Sequence, residues 1–166
     1  MSALLLDVIA RNRAGSRAAI PSVCSAHPEV IEASLRLARQ LGRPLVVEAT
    51  SNQVNQDGGY TGQTPADFVA MVNKLADRTG LDRSAVVFGG DHLGPQARRH
   101  LPPEEAMAKA DAMVRAYAKA GFTKIHLDCS EGCAGEPAQL TDEQTVPRAS
   151  ALARVVQGVR LHPVTA

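Results

Sequence analysis

PLVVEATSNQVNQDGGYTGQTPADFVAMVNKLADRTG, residues 44–80, decides the fold. It opens on Pro44–Ser51 (PLVVEATS), which reads as a buried strand. The amide- and glycine-rich stretch Asn52–Gln63 follows, with only Val54 and Tyr60 as apolar residues. Thr64–Thr79 then reads as an amphipathic helix, with Thr64 as N-cap, Pro65 in the first turn and Gly80 just past the end. A strand, a loop and a returning helix make one β/α unit.

The same unit recurs outward in both directions. Towards the N-terminus, Ala18–Ser25 (AAIPSVCS) reads as a strand despite Pro21, and Pro28–Leu41 as a helix with Val30, Ile31, Leu35 and Ala38 inward. Ahead of these, Leu4–Arg13 is a leading helix with Leu5, Val8 and Ile9 on one face, stopped by Gly15. Towards the C-terminus come strand Ala85–Leu93 (AVVFGGDHL), helix Pro103–Ala120, strand Lys124–Asp128 (KIHLD) and helix Thr141–Val159. Thr141 is the expected N-cap of that last helix and Pro147 an internal blemish. A leading helix and four strand–helix units predict an α/β fold with a parallel sheet.

Composition narrows the function. The chain has 166 residues with 18 Lys+Arg against 17 Asp+Glu, a formal charge of +1. That balance argues against a nucleic-acid footprint or a polybasic membrane arm. Aromatics are 3% of the chain and Trp is absent, too few rings for a stacking platform. Three cysteines, Cys24, Cys129 and Cys133, do not make a disulfide framework. Cys129-x-x-x-Cys133 lacks a second pair, so packing thiols are favoured over a metal site. Met1–Gly15 lacks a long apolar run, and no stretch approaches the roughly 20 apolar residues of a membrane span. The expectation is a cytoplasmic protein. No Gly-x4-Gly-Lys-Ser/Thr pattern occurs and Gly89-Gly90 is not a GxGxxG fingerprint, which disfavours a P-loop kinase and a Rossmann dehydrogenase.

Polar residues gather at the C-terminal ends of the expected strands, the edge where parallel α/β folds build their sites. They are Ser25 and His27 after the first strand, Glu48, Ser51, Asn52 and Gln53 at the second, Asp91 and His92 at the third, and Asp128, Ser130 and Glu131 at the fourth. Each alone suits a turn or a solvated strand end, and His27 and His92 also suit local packing. Together they predict a site. The amides of Asn52–Gln63 suit a polyhydroxylated or phosphorylated guest, or else a solvated Ω-loop. Asp91-His92 carries the sharpest chemistry, a carboxylate for proton transfer beside a metal-ligating imidazole. His27, His126, Glu131 and Glu48 are candidate further ligands, none compelled by spacing. If the fourth strand alternates, His126 and Asp128 share one face and Leu127 the other.

Four segments, PSVCSAHPEVIEASLR (Pro21–Arg36), VEATSNQVNQDGGYTGQTPADF (Val47–Phe68), FGGDHLGP (Phe88–Pro95) and GFTKIHLDCSEGCAGEP (Gly121–Pro137), resemble the GatZ/KbaZ family, the non-catalytic subunits of D-tagatose-1,6-bisphosphate aldolase. The resemblance runs from about Leu6 to Ser150. It implies a (β/α)8 TIM barrel that supports a separate catalytic class II aldolase subunit in galactitol or N-acetylgalactosamine catabolism. By analogy with the catalytic class II aldolases, Asp91 would move the proton and His92 would ligate Zn²⁺.

A complete barrel takes roughly 250 residues, so residues 1–158 would supply about four of eight units, a half barrel, with 159–166 as a divergent tail. An open half barrel is expected to expose Val46, Val87, Phe88, Ile125 and Leu127 and to self-associate. Two other readings stand beside the supporting subunit: a metal-dependent aldolase-like lyase using Asp91 and His92, and a sugar-phosphate binding module without turnover.

Overall fold

The structure, a computed structural model, describes residues 3–161, apart from the side chains of residues 160 and 161. Helix α1 (Ala3–Arg13) leads. The units β1 (Ser22–Cys24) with α2 (Pro28–Leu41), β2 (Leu45–Thr50) with α3 (Pro65–Thr79), β3 (Val86–Leu93) with α4 (Pro103–Lys119), and β4 (Lys124–Leu127) with α5 (Asp142–Leu161) follow. The strands form one parallel sheet in the order β1-β2-β3-β4. With a helix after every strand, this is the arrangement of a partial TIM barrel.

The elements lie where periodicity puts them, and the differences have local causes. β1 is shorter than the expected run, because Pro21 brings no N–H to the ladder, although its carbonyl still accepts from Val46 N at 2.9 Å. Thr64 caps α3 in a reciprocal box with Asp67. α5 continues through residues 159–161 of the expected tail, and residues 162–166 lie outside the described residues.

The helices cover one face of the sheet. Leu45, Val47 and Ala49 of β2 pack there with Ile31, Leu35, Phe68, Val72, Val114 and Leu152. All three phenylalanines of the chain, Phe68, Phe88 and Phe122, join Tyr117 in one aromatic cluster, with Tyr117 and Phe122 centroids 4.5 Å apart. Tyr117 also donates to Val54 O at 2.8 Å, which ties the loop after β2 to α4.

The opposite face overturns the expected exposed apolar set. Phe88, Ile125 and Leu127 are half-buried against the helix-side core. Val46 and Val87 are on the inner face, yet only 3% and 2% exposed. α1 crosses the N-terminal end of the sheet: Leu4 borders the same cleft as Pro44, Leu81 and Ala85, and Leu5 and Ile9 border another with Lys124 and Ile125. Above this end the inner face is polar.

Both ends of the sheet stay apolar. α2 meets α3 through Glu32, 3.2 Å from Arg78, and Arg39, which donates to Thr79 O at 2.9 Å. At 3.6 residues per turn, Val30, Leu37 and Leu41 lie on nearly the opposite flank, 46%, 54% and 57% exposed. Val30 is therefore not inward as expected: it faces away from α3. At the other end, a groove of about 450 Å³ lies between β4, α5 and α1, lined by Ile125, Leu127, Ala153, Val156, Leu5 and Ile9.

Candidate functional site

Strand register assembles the site row by row. Cys24, Glu48, Gly89 and Lys124 are in register across the four strands, and the next inward positions hold Asp91 and His126. In β4, Lys124, His126 and Asp128 alternate with Ile125 and Leu127, which pack outward.

Glu48 is 5% exposed, and its Oε1 lies 2.5 Å from Lys124 Nζ, two strands away. The intervening residue is Gly89, where a Cβ would stand 2.6 Å from the same oxygen and 2.7 Å from Glu48 Cγ. Glycine at 89 thus leaves the channel through which the two charges meet. Lys124 Nζ is also 3.5 Å from Asp91 Oδ1.

Asp91 and His92 reach the site by an irregularity. The β3–β4 register slips between Gly90 and Leu93, so two residues of β3, Asp91 and His92, oppose one of β4, His126. His92 takes φ 50, the left-handed region that a non-glycine residue rarely enters. This bulge keeps Leu93 in the helix-side core while His92 joins Asp91. Ser51 Oγ donates to His92 O at 3.2 Å, and Gln96 Nε2 donates to the same carbonyl, fixing the kink from two sides.

The side chains form a closed chain of contacts. His92 Nδ1 is 2.9 Å from Asp128 Oδ2, and His126 Nδ1 is 3.0 Å from Asp91 Oδ1. His92 Nε2 is 3.9 Å from Asp91 Oδ2, and the imidazole centroids are 4.5 Å apart. Burial raises the Asp91 carboxyl, but His126, Lys124, Cys24 and His92 outweigh it and hold the group below the usual range. Burial likewise opposes ionisation of Asp128, yet Ser130, through hydroxyl and amide, and His92 bring it down to about 2. The bond to Asp128 raises His92. The Cys24 thiol is pushed up to about 11, first by burial and then by Asp91.

One donor atom from each of Asp91, His92 and His126 lies within 4.8 Å of the other two. The set suits a divalent cation: two imidazoles and a carboxylate, with Asp128 orienting His92 through the other ring nitrogen, as metal-binding histidines commonly require.

The expected residues divide into two groups. Asp91, His92, Glu48 and Asp128 come together on the inner face, with Ser130 bonded to Asp128 Oδ1 at 2.7 Å and the Ser51 side chain bonded beneath His92. The others sit apart in local roles. Ser25 Oγ accepts from His27 N, and His27 is exposed at the start of α2 without a capping bond. Gln53 Oε1 accepts from Thr50 N, Asn52 is exposed at the top of β2, and Glu131 pairs with Arg99 at 3.0 Å. Asn55 Oδ1 accepts from Asp57 N and Gly59 N, so this amide of the loop holds the loop itself together. Cys129 and Cys133 are buried and unpaired, as packing thiols are. Cys24 and Lys124 stand in the same row as Glu48 without being among the expected site residues, and the alternation in KIHLD was the signal for Lys124.

The family model "D-tagatose-1,6-bisphosphate aldolase subunit GatZ/KbaZ-like" matches residues 5–162. A D-tagatose 6-phosphate 4-epimerase of Agrobacterium fabrum is 53% identical over 157 residues, 95% of this chain and 37% of its own. The crystal structure of a probable tagatose 6 phosphate kinase from Sinorhizobium meliloti 1021 superposes with a TM-score of 0.82 at 59% identity, over 84% of this chain and 36% of the other. The chain thus spans a little over a third of the length of these relatives.

Proposed function

The chain belongs to the GatZ/KbaZ-like family of D-tagatose-1,6-bisphosphate aldolase subunits, and on that premise we propose that it forms the N-terminal half of a barrel acting on a tagatose phosphate. In this reading residues 1–158 are one structural unit. The inner-face cluster of Asp91, His92, His126 and Asp128 at the C-terminal strand edge carries the proposal.

The names aldolase and 4-epimerase meet in one reaction. In a 2-ketohexose phosphate, the C4 hydroxyl is β to the carbonyl. Removing its proton breaks the C3–C4 bond and leaves an enediolate and an aldehyde. Re-addition to the opposite aldehyde face restores the bond with C4 inverted. Separation of the two pieces is cleavage; recombination is epimerisation.

The site's residues suit the proton movement. Asp91, kept ionised by His126 and Lys124, takes the proton from the C4 hydroxyl and returns it on re-addition. Asp128 fixes the orientation of His92. A divalent cation such as Zn²⁺, when bound, supplies Lewis-acid stabilisation of the enediolate; His92 and His126 would hold it, with Asp91 as the adjoining carboxylate. Incubating the chain and its full-length relative with tagatose 6-phosphate and following C4 by NMR tests this. Inversion by the wild-type chain, lost in Asp91→Asn, is expected; inversion unaffected by that change overturns it.

The family description favours a second reading, a supporting subunit for a separate class II aldolase in galactitol or N-acetylgalactosamine breakdown. Co-expression decides it: a partner equally active and stable without this chain removes the idea. The unpaired thiols suit a cytoplasmic setting, and among the described residues no helix is long and apolar enough to cross a membrane. The apolar α2 flank and the groove beside β4 favour self-association of the half barrel. A sharp monomer boundary in sedimentation with cooperative unfolding would remove that proposal.

A further inference from the structure

Among the described residues, the inner face holds one ammonium, that of Lys124, among the carboxylates of Glu48, Asp91 and Asp128. Lys124 Nζ sits 2.5 Å from Glu48 and 3.5 Å from Asp91, so two anions share one cation unequally. Glu48 is buried, lies a row below Asp91 in register with Cys24, and reaches Lys124 across the space that Gly89 leaves open. Glu48 is buried while the Lys124 side chain stays 31% exposed, and a pair placed this way adds little to stability by itself. A pair built this way needs another reason to exist.

We infer that Glu48 is the parking place of the Lys124 ammonium, and that this pair sets the affinity of the Asp91–His92–His126 site for a divalent cation. An ammonium fully engaged by Asp91 would neutralise the carboxylate that the cation needs and would repel the cation itself. Drawn to Glu48, it steadies Asp91 from one side and leaves the side facing His92 Nε2, 3.9 Å from Oδ2, to the cation. The two roles are thus separated by a shift of one fixed charge between two carboxylates. Lys124 and Glu48 are positioning residues here: they act through Asp91.

This inference rests on the cation reading of the site, and its test keeps the two apart. Co²⁺ and Zn²⁺ binding to the chain is measured by calorimetry and by the Co²⁺ ligand-field spectrum, for wild type, Lys124→Met, Glu48→Gln and the double variant, each checked by circular dichroism. Coulomb attraction in a partly hydrated site makes either single change worth about tenfold in affinity. Lys124→Met is expected to bind about tenfold more tightly and Glu48→Gln about tenfold more weakly. In the Lys124→Met background, Glu48→Gln should lose most of its effect, because the ammonium it released is gone. Equal effects of Glu48→Gln in both backgrounds overturn the parking role. If Glu48→Gln does not fold, Lys124→Met decides alone, and unchanged affinity overturns the inference while the cation reading stands. Absence of Co²⁺ and Zn²⁺ binding by the folded wild type overturns both.

Discussion

The two faces of the four-stranded sheet are made by alternate residues of the same strands, yet they follow different rules. Outward, Leu45, Val47 and Ala49 are buried in a core against the helices, with Ile125 and Leu127 half-buried at its side. Inward, Glu48, Asp91, Lys124 and His126 meet one another in a network of charges. The outward face gains by burial and tolerates only apolar neighbours. The inward face holds charges whose mutual positions matter more than their burial. One face makes the chain fold, and the other carries the charged cluster on which the proposed site rests.

The sharpest way to break this division is to hollow the outward face. Phe68→Ala removes a fully buried ring that packs on Phe122 and is expected to cost about 3–5 kcal/mol in urea unfolding. Any fraction that stays folded should bind cations like wild type. Gly89→Ala attacks from the other side, since its methyl would collide with Glu48. The expected cost is about 1–3 kcal/mol, together with altered cation affinity, a joint effect that Phe68→Ala should not show.

Asp128→Asn sharpens the comparison further. It removes the charge that orients His92 while adding no bulk, so cation affinity should fall about 10–100-fold. The same variant tests pH dependence. Asp128 at about 2 lies below an ordinary carboxylate, so its stabilisation is present above the unfolded value of about 4 and disappears as pH falls through about 2. Urea midpoints of wild type should therefore fall more steeply from pH 5 to pH 2.5 than those of Asp128→Asn. The smallest effect belongs to Arg99→Ala: its exposed pair with Glu131 should contribute less than about 1 kcal/mol, with cation binding unmoved.

Much of the outward face was legible in the sequence. The caps at Thr64 and Gly80 and the apolar run Pro44–Ser51 placed the elements, because local propensity and burial agree there. The inward face was legible only in pieces. KIHLD alternates cleanly, so His126 and Asp128 were expected to share a face, but no single strand says which face is inside. That is why Val46 and Val87 were grouped with Phe88, Ile125 and Leu127, residues that point the other way. The bulge at His92 left no periodic signal, since one extra residue in a ladder is a relation between two strands. The Glu48–Lys124 pair spans 76 positions of sequence and depends on the absence of a side chain at Gly89, which no local pattern records.

The two apolar ends of the sheet are unlike each other: a helix flank of Val30, Leu37 and Leu41 at one, a groove beside β4 at the other. A contact between them is head to tail, and head-to-tail contacts have only two outcomes. If each copy spans half a turn, two close into a ring and no free end remains. If the arc differs by even a few degrees in the wrong direction, each addition exposes a fresh end and the product is a filament.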